Sequence, residues 1–447
     1  MNQFHPVYVP IGVPTFHLES AEKLFQESVS LLQRLSADTK VPEKMLLSID
    51  DLSAYLDGCS PDLIVLQNLT FANAAYASEV LHRFSCPIVL WTLREPVIDG
   101  GRLRLNSLTG AYSAANAMMN FGRGFEYIFG SPSEEPVQKQ LAAAYAASAL
   151  KKQLSTVRLA QIGHTPDGFG FGRALDLEML KTFGVTVITA EARELMEKAK
   201  SYDAEDCSDY QKEAEEKTKG LDKLPAKNQA DFIKLYRAYQ EYVDQNHVNI
   251  LATRCWPDFF VSYGTPVCSV LAMLNDHGTA AGCEGDAYGA LSMYIGMQLS
   301  GGPVFFGDPV SMDETENTVT FWHCGTAACS LARKDTGAEI GVHCNRKIGP
   351  TMEFGCRPEK NVTLFRVGRK PDGSFRVFLS TGEALDKPKQ FNGTSAVVKI
   401  DGNASSLVHE SVQDGWEPHF VVIYADVKEE LTMLAHMLNL EICVYGN

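Results

Sequence analysis

The stretch Val157–Thr189, VRLAQIGHTPDGFGFGRALDLEMLKTFGVTVIT, decides the fold class. Val157 to Ile162 is a short apolar run of the kind that buried parallel strands show. Gly163 to Gly172 is a glycine-rich loop. Arg173 to Phe183 then reads as a helix, and Val185 to Thr189 as the next strand. Strand, turn, helix and strand in that order predict an α/β layered domain. The loop carries Gly168-Phe-Gly170-Phe-Gly172, which is not GxGxxG, and no acidic residue is placed to hold a ribose. A tight strand-to-helix turn explains it more simply than a nucleotide site.

The same alternation extends toward the N-terminus. Val7 to Val13 reads as a strand and Glu19 to Leu35 as an amphipathic helix. Leu63 to Leu66 and Ile88 to Trp91 are further apolar runs, and Gln138 to Lys151 is an Ala-rich helix. Residues 192 to 230 are rich in Lys and Glu and read as a solvated insertion. An amphipathic helix carrying Phe232, Leu235, Tyr236, Tyr239 and Val243 follows. From Val362 the pattern becomes β-rich. The runs Val362 to Val367 and Phe375 to Leu379 flank Lys370-Pro-Asp-Gly373, a hairpin signal. Strands at Ser395 to Ile400 and His419 to Tyr424, a helix near Lys428 to Leu438 and a final strand close the chain. The predicted organisation is an N-terminal α/β domain (1–152), a central α/β domain (153–350) and a β-rich C-terminal domain (351–447).

Composition narrows the function. The chain has 447 residues, 45% hydrophobic and 21% charged, which is ordinary for a globular protein of roughly three domains at roughly 150 residues each. A net charge of −15 disfavours generic nucleic-acid binding. No run of apolar residues is long enough to predict a membrane span, and Met1 to Thr15 reads as no secretory signal. Eleven cysteines, without a CxxC pair, suggest reduced thiols in a cytoplasmic protein.

Chemistry-bearing residues concentrate between Arg254 and His343. They are Cys255-Trp-Pro257, Asn275-Asp-His-Gly278, Cys283-Glu-Gly-Asp-Ala-Tyr-Gly289, Phe305-Phe-Gly-Asp-Pro309 and Trp322-His-Cys-Gly325. Each polar group ends an apolar run, where α/β proteins place functional side chains. Glu284 and Asp308 stand 24 positions apart (308 − 284), separated by a helix and a strand, so they can meet at corresponding ends of neighbouring elements. Two convergent carboxylates in a dry site are costly unless a cation joins them. His323 and His419 could complete a mixed oxygen and nitrogen shell for Mn²⁺, Mg²⁺, Fe²⁺ or Co²⁺. Taken singly, each of these residues is more often a helix cap, a surface charge or a satisfied core group. Asp286 reads as a helix N-terminal residue stabilised by the dipole.

Taken as an ordered set, the run Cys283–Leu291, Phe306-Gly-Asp308, His323-Cys-Gly325 and Pro418-His419 resembles the L-fucose/L-arabinose isomerase superfamily. The segments Gly12-Val-Pro-Thr-Phe-His17 and Asn106-Ser-Leu-Thr-Gly110 are similar to its sugar-isomerase-like members. The resemblance implies the three-domain architecture read above and an aldose–ketose isomerase that uses one divalent metal, commonly Mn²⁺. It implies Glu284 and Asp308 as metal ligands and acid/base groups and His419 as a further ligand. His323 matches a ligand of the arabinose branch. Proton transfer between adjacent sugar carbons needs a base for the C2 proton and an acid for the carbonyl oxygen.

This chain is shorter than typical fucose or arabinose isomerases. Shorter relatives include enzymes that isomerise sulfoquinovose, a glucose derivative bearing a sulfonate, and the Phe16-His17 and Asn106-Ser107 context is similar to those. A sulfonate calls for cationic or backbone donors, with Arg94, Arg102, Arg104, Arg346 and Lys347 as candidates. His17, Gln67, Asn68, Trp91 and Asn106 are candidates for sugar contacts. N-terminal residues of the family approach a neighbouring subunit's site, so a homo-oligomer is expected. The competing readings are an isomerase of a neutral sugar such as L-fucose or L-arabinose, a metal-dependent sugar-acid epimerase or lyase, and a non-catalytic sugar-binding protein.

Overall fold

The computed structural model describes residues 3–446. By contact the chain forms two compact units. The first comprises residues up to Gln153 together with Glu429–Asn439; the second comprises Leu154–Lys428 and the stretch from Leu440 onward.

The first unit is built on a four-stranded parallel sheet, ordered Pro6–Ile11, Leu63–Asn68, Ile88–Thr92 and Glu126–Phe129. The first three strands are buried along their whole length, which is why they read as continuous apolar runs rather than alternating ones. The helix Leu18–Leu35 is started by His17, whose ring accepts from the Ser20 N–H. It buries Ala21, Phe25, Ser28, Leu31 and Leu32, a stripe at helical spacing. The helix Lys428–Met437 returns to this unit, where Lys151 donates to the Met437 carbonyl and His436 meets Glu126 at 2.8 Å.

Besides a small two-stranded sheet, Ile340–Gly341 paired to Thr351–Met352, the second unit combines two large sheets. One is a four-stranded parallel sheet, ordered Thr186–Ala190, Arg158–Ile162, Ile250–Thr253 and Ala280–Gly282. The other is antiparallel: Thr394–Ile400, Thr318–His323, Phe305–Asp313, Phe420–Ile423, Glu359–Arg369 and Phe375–Ala384 pair in that order. Phe375–Ala384 also pairs back to Thr394–Ile400, so these six strands close into a barrel with no free edge among them. The predicted hairpin is present, turning at Lys370–Ser374. The helix Ala287–Ser300 is buried from Ala287 through Met297 and packs on strands of both sheets. Its sequence is apolar all round, as a helix enclosed on every side requires.

The fold is therefore the mixed α/β class with a β-rich C-terminal part. The barrel begins at Phe305, upstream of residue 351. Phe305 and Phe306 close a strand–helix–strand run and so carry the α/β pattern locally, while their partners arrive later in the chain. Residues 192–230, expected as a solvated insertion, contain the helices Ala192–Lys200 and Ser208–Lys217. The first buries Ala192, Leu195, Met196 and Ala199, a narrow stripe half of which is alanine. All eleven cysteines are free thiols. Among the described residues no helix is long and apolar enough to cross a membrane.

Candidate active site

The site lies at the carboxyl edge of the second unit's parallel sheet, where three loops leave the strands and meet the barrel. The strand Ala280–Gly282 runs into Cys283, and Glu284 follows with φ 58°. A left-handed carboxylate residue is uncommon and marks a position held by its surroundings. Gly285 continues the turn at φ 68°, its N–H donating to the Thr253 carbonyl at 2.9 Å. Asp286 then caps the helix Ala287–Ser300 by accepting from Gly289 N–H.

The barrel supplies the other groups. Asp308 lies on Phe305–Asp313, His323 ends Thr318–His323, and His419 immediately precedes Phe420–Ile423. His419 Nε2 is 3.0 Å from Glu284 Oε2 and 3.5 Å from Asp308 Oδ1. Glu284, His323 and His419 each offer one ligand atom, all within 4.8 Å of one another. The imidazoles are buried, while the Glu284 and Asp308 side chains keep 20% and 30% of their surface open to solvent. The carboxylates thus form the accessible face of the cluster and the imidazoles its back.

Behind His419 stands a second layer of charge. Its Nδ1 lies 2.9 Å from Asp286 Oδ2, and the same oxygen accepts from Arg366 Nη1 at 2.8 Å. Arg366 also donates to the His419 carbonyl, and its Nε lies 3.5 Å from Glu417 Oε2. Asp286 and Arg366 are fully buried. With Nδ1–H directed to Asp286, Nε2 faces the two carboxylates.

The glycine loop completes the enclosure. Phe169 and Phe171 place their rings 6.4 and 6.2 Å from the His419 ring, and Phe306 places its ring 4.7 Å away. Gly172 is required by close approach: a Cβ there would lie 2.8 Å from Asp286 Cα. The loop is thus a tight turn that seats two phenylalanines. The Trp256 indole donates to Glu284 Oε1 at 3.0 Å, and the Arg346 guanidinium lies 5.4 Å from the Trp256 ring centroid.

These contacts set the protonation pattern of the metal-free protein. Burial alone would raise the Glu284 carboxyl, but His419, His323 and the Trp256 indole hold it down to about 2. Burial would lower His419, yet hydrogen bonds to Asp286 and Glu284 and the charges of Asp286 and Asp308 push it up to about 10. Asp286 is held well below the ordinary carboxyl range by Arg366 and His419, against its burial. Asp308 is raised by burial, with His419 and His323 opposing.

Residues 323–446 match the family described as L-fucose isomerase, C-terminal domain. Over 446 residues, 100% of both chains, the sequence is 62% identical to a sulfoquinovose isomerase of Clostridium sp. (strain MSTE9). The chain belongs to the sulfoquinovose isomerase family. It is 37% identical over 443 residues to the sulfoquinovose isomerase of Priestia aryabhattai and 38% over 439 to that of Alkalicoccus urumqiensis, covering 98% of each chain in both cases. Membership places it in the L-fucose isomerase-like superfamily and makes it a sugar isomerase.

As a sulfoquinovose isomerase family member, the chain brings Glu284, Asp308, His323 and His419 together in one cluster. The six residues expected to contact sugar all lie in the first unit. Gln67, Asn68 and Trp91 are fully buried there. Gln67 accepts from the Tyr8 hydroxyl and donates to Ser28 Oγ at 3.1 Å, and Trp91 donates to the Gly130 carbonyl at 2.9 Å. Gly110 packs against the Asn68 amide, whose polar atoms have no hydrogen-bond partner among the described residues. His17 caps a helix, Arg94 pairs with Glu134 at 2.9 Å, and Asn106 accepts from Thr109. Of the cationic candidates in the first unit, Arg102 donates to the Thr15 carbonyl and Arg104 faces Asp99 at 3.5 Å. Sequence reasoning left out Arg366, Trp256, Phe169 and Phe171 as site residues. Trp256 lay in the residue cluster that begins at Arg254, and Phe169 and Phe171 lay in the glycine loop read as a tight turn.

Proposed function

We propose that this protein interconverts sulfoquinovose and its ketose, sulfofructose, by proton transfer through an enediol. Glu284 and Asp308 serve as the acid/base pair in this reading. The observation that carries it is the convergence of these carboxylates from different sheets onto His419 Nε2, at 3.0 and 3.5 Å. Two carboxylates with two imidazoles form a donor set suited to a hard-to-borderline divalent cation, so Glu284, Asp308, His419 and His323 would hold a metal, with Mn²⁺ our choice. Such a cation supplies a Lewis acid toward adjacent sugar oxygens.

The chain's own residues do the rest. One carboxylate takes the proton from sugar C2 and the other carries the proton of the carbonyl oxygen. Both are part-exposed, so sugar reaches them. Asp286 and Arg366 fix the His419 ring, and Trp256 orients Glu284 through its indole N–H. Phe169, Phe171 and Phe306 keep water from the imidazole.

The sulfonate is assigned to Arg346. This side chain is exposed, stacks on Phe260 at 4.8 Å as well as on Trp256, and has no ion pair with a carboxylate among the described residues. An unpaired guanidinium on the indole that holds Glu284 suits an anionic group on the same sugar.

Cytoplasmic location and homo-oligomeric assembly belong to this proposal. Eleven free thiols support the first. The first unit leaves Ile98, Tyr112 and Met119 exposed at 91%, 75% and 69%, which supports the second. His17, Arg94 and Asn106, at part-exposed positions of that unit, remain our candidates for reaching a neighbouring subunit's sugar.

The test is product analysis of sulfoquinovose, L-fucose and L-arabinose at fixed Mn²⁺, with chelator as control. Sulfofructose from sulfoquinovose, lost on chelation, is expected. Turnover of a neutral sugar alone would overturn the substrate, and full turnover in chelator would overturn the metal.

A further inference from the structure

Behind the catalytic edge lies a group of thiols that the isomerase reaction does not use. Cys268 opens the buried helix Cys268–Asp276, Cys283 immediately precedes Glu284, and Cys324 immediately follows His323. One buried cysteine is ordinarily a small hydrophobe. Here three arrive from separate elements with their Sγ atoms all within 4.8 Å of one another. Cys268 and Cys283 are 0% exposed and Cys324 is 7% exposed. Cys255 also approaches the Cys283 thiol.

The spacing is informative. Sulfurs about 2.3 Å from a tetrahedral zinc stand about 3.8 Å apart. Cys268 Sγ and Cys324 Sγ are 3.8 Å apart, and none of these thiols is in a disulfide. The ligands are soft, whereas the neighbouring carboxylate–imidazole cluster offers harder oxygen and nitrogen donors, so the two sites sort cations by chemistry.

We infer that Cys268, Cys283 and Cys324 form a second, soft-metal site for Zn²⁺ or Cd²⁺, and that filling it lowers turnover. The coupling is covalent and short. Two of the three thiols are peptide neighbours of Glu284 and His323, so drawing the sulfurs onto an ion shifts the backbone that aims those groups.

Cadmium is the probe, because its thiolate complexes absorb in the ultraviolet by charge transfer. Full-length protein is titrated with Cd²⁺, with and without excess Mn²⁺, and absorbance and turnover are followed together. One equivalent per chain should produce the band in both conditions. With Mn²⁺ in excess, turnover should fall by about tenfold or more, the scale on which disturbed supporting groups act. Cys268→Ala should keep its cadmium-free turnover, lose the band and resist inhibition; the near-isosteric Cys268→Ser serves the same purpose if the alanine variant does not fold. Cys443→Ala, altering a thiol outside this group, should keep the band. Absence of the band in the unaltered protein, or its persistence in the Cys268 variants, would overturn the site. Undiminished inhibition of those variants would overturn the coupling, placing cadmium at the carboxylate–imidazole cluster. The band does not depend on the isomerase reading, so the two proposals fail separately.

Discussion

In the first unit the strand Leu63–Asn68 ends on Gln67 and Asn68; in the second, Ala280–Gly282 runs out into Cys283 and Glu284. Both strands lie in four-stranded parallel sheets. At the first edge polar groups are largely absorbed within the unit: Gln67 links Tyr8 to Ser28, Thr92 meets Tyr127 at 2.8 Å, and Trp91 donates to Gly130. At the second edge Glu284 keeps a solvent-facing surface and is met by barrel groups, namely Asp308, His323 and His419. The difference teaches that a polar strand end is not yet a site. A second element must bring charges to the same edge, and here the barrel does so.

Substitutions on the two edges sharpen the contrast. The largest effect is expected from Glu284→Gln and Asp308→Asn. Each should lower kcat by about a thousandfold or more, the order of a lost general acid or base, with the folded circular dichroism spectrum retained. Near-normal turnover with metal supplied would remove the acid/base pair. Next comes Asp286→Ala, which leaves Arg366 buried without its main partner. A stability loss of about 3–5 kcal/mol is expected in urea unfolding. At the other edge Gln67→Ala strands the Tyr8 hydroxyl and should cost about 1–3 kcal/mol with KM unchanged. A raised KM without a stability loss would instead make Gln67 a sugar contact. Arg346→Ala should raise KM for sulfoquinovose about ten- to hundredfold while kcat holds, matching the loss of a charge-assisted hydrogen bond.

The smallest effect is on pH dependence. In metal-free protein His419 stands up at about 10, above its ordinary 6.5, so its stabilisation is complete below pH 6.5 and lost as pH rises through 10. Glu284 stands down at about 2, below its ordinary 4.5, so its share is present above pH 4.5 and lost as pH falls through 2. The site's contribution to the melting temperature of chelated protein is therefore expected to be greatest between pH 4.5 and 6.5. Metal must displace the His419 proton, so Mn²⁺ affinity should climb as pH rises toward 10, with proton release in calorimetry below that pH. Binding without proton release would contradict the His419 assignment.

Much of the fold was legible because its signals are local. Buried parallel strands show as apolar runs, and Lys370-Pro-Asp-Gly373 announces its hairpin. Glu284 and Asp308 were legible because each ends such a run. Arg366 was not. It is the one charge in the apolar run Val362 to Val367, and its partner Asp286 lies 80 positions away. Asp286 showed only its capping role, since its bond to His419 spans 133 positions. Barrel closure was hidden for the same reason: the pairing of Phe375–Ala384 with Thr394–Ile400 depends on register rather than on periodicity. Likewise, nothing in the composition of Lys428–Met437 marks its return to the first unit, where Lys151 grips Met437 from 286 positions upstream.

The claim that Glu284 and Asp308 move the sugar's protons is tested most directly by running sulfoquinovose to equilibrium in D₂O and reading deuterium at C2 by NMR. Part-exposed carboxylates exchange with solvent, so the unaltered enzyme is predicted to return sulfoquinovose labelled at C2, and Glu284→Gln and Asp308→Asn to return it unlabelled. Ketose formed by the unaltered enzyme with no deuterium in either sugar, or labelling that persists at the normal rate in either variant, would contradict the account.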